Sequence, residues 1–368
     1  MEKVKLGQLT NIKTGRLDVN AENPNGKYPF FTCSKNHTYI DEYAFDGESV
    51  LVAGNGDLNV KYYNGKFNAY QRTYVIQANE NLNGKYLYYF LDTYVEKLRE
   101  QSIGGVIKYI KLGNLTDAEI PLPNLATQQR IAAILDQADA IIQNNRAIVQ
   151  KYDALTQSLF LDMFGDPVKN EKGWEKVKGS LIYQVKGRVG WKGYKKTDLR
   201  ESGAYVIGAT HIDKFGYINL TNPVYISDEK FLESPEIIIE KNDLIFVQRG
   251  NTIGKIGLVR DVLERATINP VVVILRPKVS PYFLLYLLLN KSILNKIIEI
   301  NSGSAQPMIT QNSMNEYQFI NPPLELQNQF AERVAVIEAQ KQQAQMELAK
   351  SEELFQSLLQ RAFKGELN

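Results

Sequence analysis

The chain has 368 residues, 44% hydrophobic and 23% charged, an ordinary balance for a globular protein that excludes global disorder and, at roughly 100–200 residues per domain, predicts two domains. One cysteine, Cys33, and two histidines, His37 and His211, exclude internal disulfides and argue against a metal site or a histidine-based catalytic cluster. The net charge of +2 is too small to mark a nucleic-acid binder, the longest apolar run (282–289) is eight residues against the ~20 of a spanning helix, and the opening Met1-Glu2-Lys3-Val4-Lys5 lacks the apolar segment of a signal peptide, so a cytoplasmic protein without membrane contact is expected.

In chain order, residues 1–121 read as a compact, strand-rich α/β domain. Short β-branched and aromatic runs at 49–53 and 70–76 are broken by Gly/Asn turns, and one helix is expected at 85–101. Residues 122–165 read as a long helix. It opens after Pro121 and Pro123 and ends near Gly165. Its apolar seam runs Ile131, Leu135, Ala138, Ile142, Asn145, Val149, Tyr152, Thr156, Leu159, Met163, in steps of four and three, which is the spacing of helices that pair.

Residues 166–321 form the second strand-rich domain, with runs at 244–247 and 271–275 and a helix expected at 281–300. Residues 322–368 form the second long helix, opened by Pro322 and Pro323 and closed near Gly365. Its seam is Phe330, Val334, Ile337, Lys341, Ala344, Leu348, Ser351, Phe355, Leu358, Ala362, each the first seam plus 199 residues. The chain is thus a repeat. Leu125, Gln128 and Ala132 fall on Leu324, Gln327 and Ala331, and Glu2-Lys3-Val4-Lys5 recurs as Glu175-Lys176-Val177-Lys178. The offset drifts from 173 to 199 inside the domains, so the second copy holds 26 extra residues, mostly before Asp243. Two such helices of about 40 residues, each a rod of roughly 60 Å at 1.5 Å per residue, are expected to pair with each other; polar Asn145, Lys341 and Ser351 in the seams then fix register or leave a docking surface.

The charge is uneven. The two helices are together net −3 and the two domains net +5, all of it in 166–321. That surplus fits a nucleic-acid surface without requiring one. The loop Arg249-Gly250-Asn251-Thr252-Ile253-Gly254-Lys255-Ile256 fails as a phosphate-binding loop, because Arg249 stands where a glycine is needed and Ile256 where Ser or Thr is needed. Its Arg249, Asn251, Thr252 and Lys255 are suited to phosphates and base edges, as are Asn55, Asn59 and Lys61 in the counterpart loop of the first copy; a plain hairpin turn is the alternative. Arg188, Trp191, Lys192, Tyr194, Lys195 and Lys196 make the densest basic stretch with aromatics interleaved, fit for backbone contact plus stacking or groove insertion, or simply a solvated loop. Lys35, Asn36, His37, Gln71, Arg72 and Lys108 in the first copy and Gln306 in the second complete the candidate DNA contacts. Asn321-Pro322-Pro323-Leu324 lacks the aromatic that stacks on a flipped base and reads as a helix start. No catalytic Ser/His/Asp set or nucleotide-binding loop is found, so no enzyme is expected.

The order domain, helix, domain, helix, with helix starts Leu122-Pro123-Asn124-Leu125-x-x-Gln128-Gln129-Arg130-Ile131-Ala132 and Pro322-Pro323-Leu324-x-x-Gln327 and the ending Ala362-Phe363-Lys364-Gly365-Glu366-Leu367, resembles the type I restriction-modification specificity subunits over essentially the whole chain. The resemblance implies two α/β (α+β) target-recognition domains (1–121 and 166–321) alternating with spacer helices (122–165 and 322–368) that form an antiparallel coiled coil with pseudo-two-fold symmetry. It implies double-stranded DNA as ligand, each domain reading half of a bipartite site, with methyltransferase subunits docked on the frame and a restriction subunit able to join. S-adenosylmethionine is then expected in the methyltransferase and no cofactor in this chain. The family's DNA-contacting residues vary with target, so none carries over. A fragment of a fused methyltransferase–nuclease and a stand-alone coiled-coil DNA-binding or scaffold protein are the alternatives.

Overall fold

The computed structural model of the chain describes residues 2–188, 193–261, 263–300 and 308–367. Contacts divide it into two compact units, residues 1–146 with 345–368 and residues 147–344. Each unit therefore contains one domain and a stretch of both long helices, Leu125–Phe164 and Leu324–Lys364.

In the first unit, Lys3–Lys5 pairs antiparallel with Glu119–Pro121, bringing the two ends of the domain together at the start of the first long helix. A four-stranded antiparallel sheet follows the order Thr10–Thr14, Thr73–Ala78, Glu48–Ala53, Val60–Asn64. Successive side chains of a strand face opposite ways. Val50, Val52 and Ile76 accordingly pack under the helix Gly84–Gln101 with Tyr86, Leu87 and Leu91, while Leu51 and Val75 pack on the other face with Phe31 and Phe67. Those two phenylalanines hold a smaller sheet, Thr38–Ile40, Tyr28–Phe31 and Asn68–Ala69, whose last pair is parallel.

The second unit repeats the plan. Lys176–Lys178 pairs with Gln318–Ile320. The sheet runs Tyr183–Lys186, Val272–Pro277, Leu244–Val247, Ile256–Leu258, and its faces again divide by parity: Leu244, Phe246, Val273 and Leu275 in one core, Ile245, Val247, Val272 and Ile274 in the other. A smaller sheet again contains one parallel pair, Ala204–Ile207 with Ala266–Ile268. Its strand Tyr225–Ile226 pairs antiparallel with Ala204–Ile207 as Thr38–Ile40 does with Tyr28–Phe31, and the longer connections of this copy hold the helix Asp228–Leu232. The single helix expected at 281–300 is corrected to two, Pro281–Leu289 and Lys291–Ile300. Asn290 is extended (ψ 118°), and its Oδ1 accepts from the Ser292 and Ile293 N–H groups, which caps the second helix and breaks the first.

Within each unit the two long helices run antiparallel. In the first, Ile131 and Leu135 share a core with Leu359 and Ala362, and further along Asn145 Nδ2 donates to Ser351 Oγ (2.9 Å). Ile142 is buried and Leu348 and Leu358 are half-buried. In the second, Phe160 and Phe164 pack on Phe330 near Val334, and Lys341, buried in the seam, is neutralised by Asp153; Val149, Leu159 and Ile337 are half-buried. Asn145 and Ser351 are thus matched to each other and Lys341 to the neighbouring Asp153, which sets register in each unit. Gly165 and Gly365 follow the helices at φ +76° and +83°, the left-handed cap that side chains with a Cβ resist.

The helix starts carry the tightest element of the repeat. Gln128 is buried; its Oε1 accepts from the Asn83 N–H (2.8 Å) and its Nε2 donates to Asn81 O (3.0 Å) and Pro123 O (2.8 Å). Gln327, 199 residues on, accepts from the Ser280 N–H (3.1 Å) and donates to Pro322 O (2.8 Å) and Asn321 Oδ1 (3.3 Å). Asn83 and Ser280 are the residues that precede the first turn of the domain helices. Each glutamine therefore clasps a long helix to its domain. Replacing either by Leu strands a buried N–H and two acceptors, and we expect a loss of about 2–3 kcal/mol in chemical denaturation; Gln129→Leu, at an exposed neighbour, is expected to leave the midpoint unchanged.

Candidate nucleic-acid interface

At one end of each large sheet, three connections are sewn together by the same backbone hydrogen bonds. In the first unit, Gly54 N donates to Arg72 O (2.8 Å), Ile110 N to Gly54 O (2.9 Å) and Thr73 N to Tyr70 O (2.8 Å). In the second, Gln248 N donates to Val271 O (3.1 Å), Ile309 N to Gln248 O (2.9 Å) and Val272 N to Asn269 O (3.1 Å). Asn55 bridges to Tyr109 and Arg249 to Met308. The loop after the inner strand, the turn after the parallel pair and the segment before the short helices Leu112–Thr116 and Gln311–Glu316 thus share one site in each unit.

In the first unit a fourth loop, 32–37, joins this end. Asn59 Nδ2 donates to Cys33 O (2.8 Å), Lys61 Nζ donates to Thr32 O (3.3 Å) and to Asn59 Oδ1, Cys33 Sγ donates to Arg72 O (3.5 Å), and Lys35 lies 3.9 Å from Asp57. Lys35, Asn55, Asn59, Lys61, Arg72 and Lys108 are therefore brought together, with Asn36 and His37 exposed on the same loop. The His37 ring lies beside Phe31 (5.4 Å) and Tyr39 (5.3 Å). Gln71 turns elsewhere, its Nε2 donating to Asp18 Oδ2 (3.2 Å). The Asn59 amide is engaged within the loops, since Nδ2 also donates to Asp57 O (2.9 Å).

In the second unit, three candidates converge on the segment 268–270. Arg188 Nη2 donates to Ile268 O (2.7 Å), Tyr194 Oη accepts from Asn269 Nδ2 (3.1 Å) and Arg249 Nη2 donates to Pro270 O (2.7 Å). Burial lowers the pKa of the Arg188 guanidinium and raises that of the Tyr194 phenol. Lys255 Nζ donates to Ile212 O (3.1 Å), while Asn251, Thr252, Lys195 and Lys196 are exposed. Trp191, Lys192 and Gln306 lie outside the described residues.

Several residues that build the site were not singled out in the sequence. Arg99 donates to Leu58 O (2.9 Å) and Asp57 Oδ1 (3.2 Å), bracing the 54–59 loop. Asn269 occupies in the repeated turn the place of Tyr70, an equivalence the structure shows through the matching bonds to Thr73 and Val272. Arg260 leaves no local signature in the sequence. Its guanidinium meets the Glu338 carboxylate at 2.6 Å, Tyr282 and Tyr217 donate to the same carboxylate (2.9 and 3.2 Å), and Arg260 stacks 4.2 Å over the Tyr217 ring. This lock fastens the domain of the second unit to the second long helix. Unit one has a lighter tie, Asp136 accepting from Lys85 Nζ (3.0 Å) and Tyr89 Oη (2.6 Å).

Among the described residues no group of three or more His, Cys, Asp or Glu is placed to hold a metal, and no helix is long and apolar enough to cross a membrane.

Two copies of a β-rich domain, each leading into a long helix and each displaying amides and cations where its loops converge, fit the class of DNA-recognition proteins. Residues 1–151 and 171–349 match the model of the type I restriction modification DNA specificity domain, and the chain belongs to that family. It is 28% identical over 401 residues to the EcoDI specificity subunit of Escherichia coli (99% of this chain, 88% of the relative). It is 24% identical to the MjaVIII specificity subunit of Methanocaldococcus jannaschii (74% of this chain, 69% of the relative). The fold is similar to that of the S subunit from M. genitalium, with a TM-score of 0.63 at 19% identity over 98% of this chain and 96% of that one. The chain is a DNA specificity subunit of a type I restriction-modification system, and it is non-catalytic.

Burial pushes the Lys61 ammonium down to about 8. Two of its N–H groups are used by Thr32 and Asn59. Below that pH the group is charged; above it the charge is lost. We expect the affinity for DNA to fall between pH 7 and pH 9, measured by fluorescence anisotropy, and the fall to flatten in Lys61→Arg. Stability has the opposite sign. The folded pKa lies below the unfolded value of 10.5, so the unfolded chain binds more protons across that interval and stability rises with pH.

Proposed function

We propose that each unit reads one half of a bipartite double-stranded DNA site through the loop end described above, and that the two long helices set the length of the spacer between the half-sites. The repeated trio of hydrogen bonds carries this reading: two copies of one loop framework, differing in the side chains they display, are what a pair of readers with different sequence preferences requires. Arg72, Asn55, Lys108 and Lys35 are the contacts we assign to the first unit. Arg249, Asn251, Thr252, Lys195 and Lys196 are those of the second, with Tyr194 and Arg188 shaping their support.

The same reading assigns the outer faces of the helices to methyltransferase subunits, which would hold S-adenosylmethionine, with restriction subunits able to join and the cytoplasm as the compartment. Ile148 and Leu155, seven residues apart on the first long helix, are 42% and 48% exposed, and Leu354, the counterpart of Leu155, is 57% exposed. Such a stripe outside the pairing seam is an apolar face for a partner. A fold match at TM-score 0.59 and 16% identity comes from work on complex assembly and conformational transition of the type I R-M system.

The helix-length assignment is tested by inserting one helical turn in both long helices and mapping methylation in cells that also express the methyltransferase. A turn adds about 5.4 Å, so the spacer is expected to lengthen by about one or two base pairs with both half-sites unchanged. An unaltered spacer contradicts the assignment.

A further inference from the structure

After the helix Gly84–Gln101 the first unit makes a tight loop. Ile103 and Tyr109 exchange backbone hydrogen bonds (3.0 and 2.9 Å), which closes residues 104–108 into a tip. Gly56 N donates to Lys108 O (3.0 Å) and Asn55 bridges to Tyr109, so the base of the tip is braced against the 54–59 loop. Gly104 makes the turn possible: its φ is +115° and a Cβ there would meet Ile107 O at 2.5 Å. The tip presents two adjacent β-branched side chains to solvent, Val106 at 104% and Ile107 at 63% exposure; among the described residues no other large apolar side chain exceeds 66%.

These side chains do nothing for the core. Their tip is tied through Lys108 O and the Asn55–Tyr109 bridge to the loop end assigned above to DNA, which carries Asn55, Arg72 and Lys35. Two residues fenced by cations and amides are far too small for a protein–protein interface, which takes some 20–30 residues a side. They match in size and surroundings the apolar wedges that enter a duplex between base pairs, where flanking cations hold the phosphates. The bracing on both sides presents them as a formed point.

We propose that Val106 and Ile107 are a wedge that enters the DNA at one base-pair step of the half-site read by the first unit and partly unstacks it. The step is then selected by how easily it opens, which adds specificity without a hydrogen bond to a base. The proposal rests on the DNA assignment of this loop end. The corresponding stretch of the second unit, 303–307, lies outside the described residues.

The test uses the full chain co-purified with its methyltransferase and a duplex carrying the bipartite site found by methylation mapping. Fluorescent base analogues, 2-aminopurine for adenine and pyrrolo-cytosine for cytosine, are placed in turn through both half-sites. The unaltered complex is expected to brighten the analogue at one step away from the methylated adenines. Val106→Ser/Ile107→Ser is expected to lose that signal and to bind the specific duplex about tenfold more weakly. Its melting temperature and its binding to a duplex without the site are expected to be unchanged, and Val106→Leu/Ile107→Leu is expected to keep the signal. Equal affinity and equal brightening in the serine variant overturn the wedge, as does loss of the methyltransferase with DNA binding intact, which would make the tip a protein contact. If charge-removing changes at Arg72 and Lys108 also leave specific binding unchanged, the DNA assignment of the whole loop end falls as well.

Discussion

A glutamine amide shut away from water must satisfy two N–H groups and an oxygen inside the protein or cost several kcal/mol. Gln128 and Gln327 satisfy theirs at the same place in the two halves, between the first turn of a long helix and the residue that starts a domain helix. The rest of the architecture depends on that clasp. The domain helix carries the sheet on its back, and the sheet carries the loops at its end. An amide that joins the helix start to the domain helix therefore fixes where the loop end stands relative to the rod that leads away from it. Apolar packing around Ile131 and Phe330 supplies the adhesion, but it is non-directional; the amide supplies the orientation.

The two halves are fastened with different strength. Around the second long helix, Glu338 gathers Arg260, Tyr217 and Tyr282. Removing one member of such a buried pair typically costs about 3–5 kcal/mol because a charge is left without a partner. In the first unit the corresponding contact is the more exposed Asp136 with Lys85 and Tyr89. The reading ends differ in the same sense. Arg188, Tyr194 and Arg249 are all bonded to the 268–270 segment, whereas the first unit presents freer cations around a braced apolar tip. One framework thus supports two chemically different faces, in keeping with the proposal that each reads its own half-site.

Much of the fold was legible because the repeat is legible. The 199-residue offset located both long helices, their seams and the glutamines, and the glycine positions marked the helix ends. Lys341 stood in the seam as a polar position that fixes register or leaves a docking surface; the structure pairs it with Asp153, a residue off the seam by one position that no heptad pattern flags. The break at Asn290 was hidden because an eight-residue apolar run ahead of an amphipathic stretch reads as one helix, and only the side chain of Asn290 turning back onto Ser292 reveals the restart. The Arg260–Glu338 lock joins residues 78 apart and leaves no local signature. In the candidate interface, residue type and loop position identified groups that do converge, yet type alone does not say whether a donor is already used. Asn59 and Gln71 are engaged within the protein, while Val106, which no polar motif marks, is fully exposed at the tip of its loop.

We propose that each loop end reads its own half of the target. Methylation mapping of two altered proteins tests it most directly, one carrying Asn55→Ala and Arg72→Ala, the other Arg249→Ala and Asn251→Ala. Each pair of changes is expected to relax the sequence of one half-site, a different one in each protein, and to leave the other half and the spacer as they were. Relaxation of both halves by either pair, or an unchanged motif in both proteins, would contradict it.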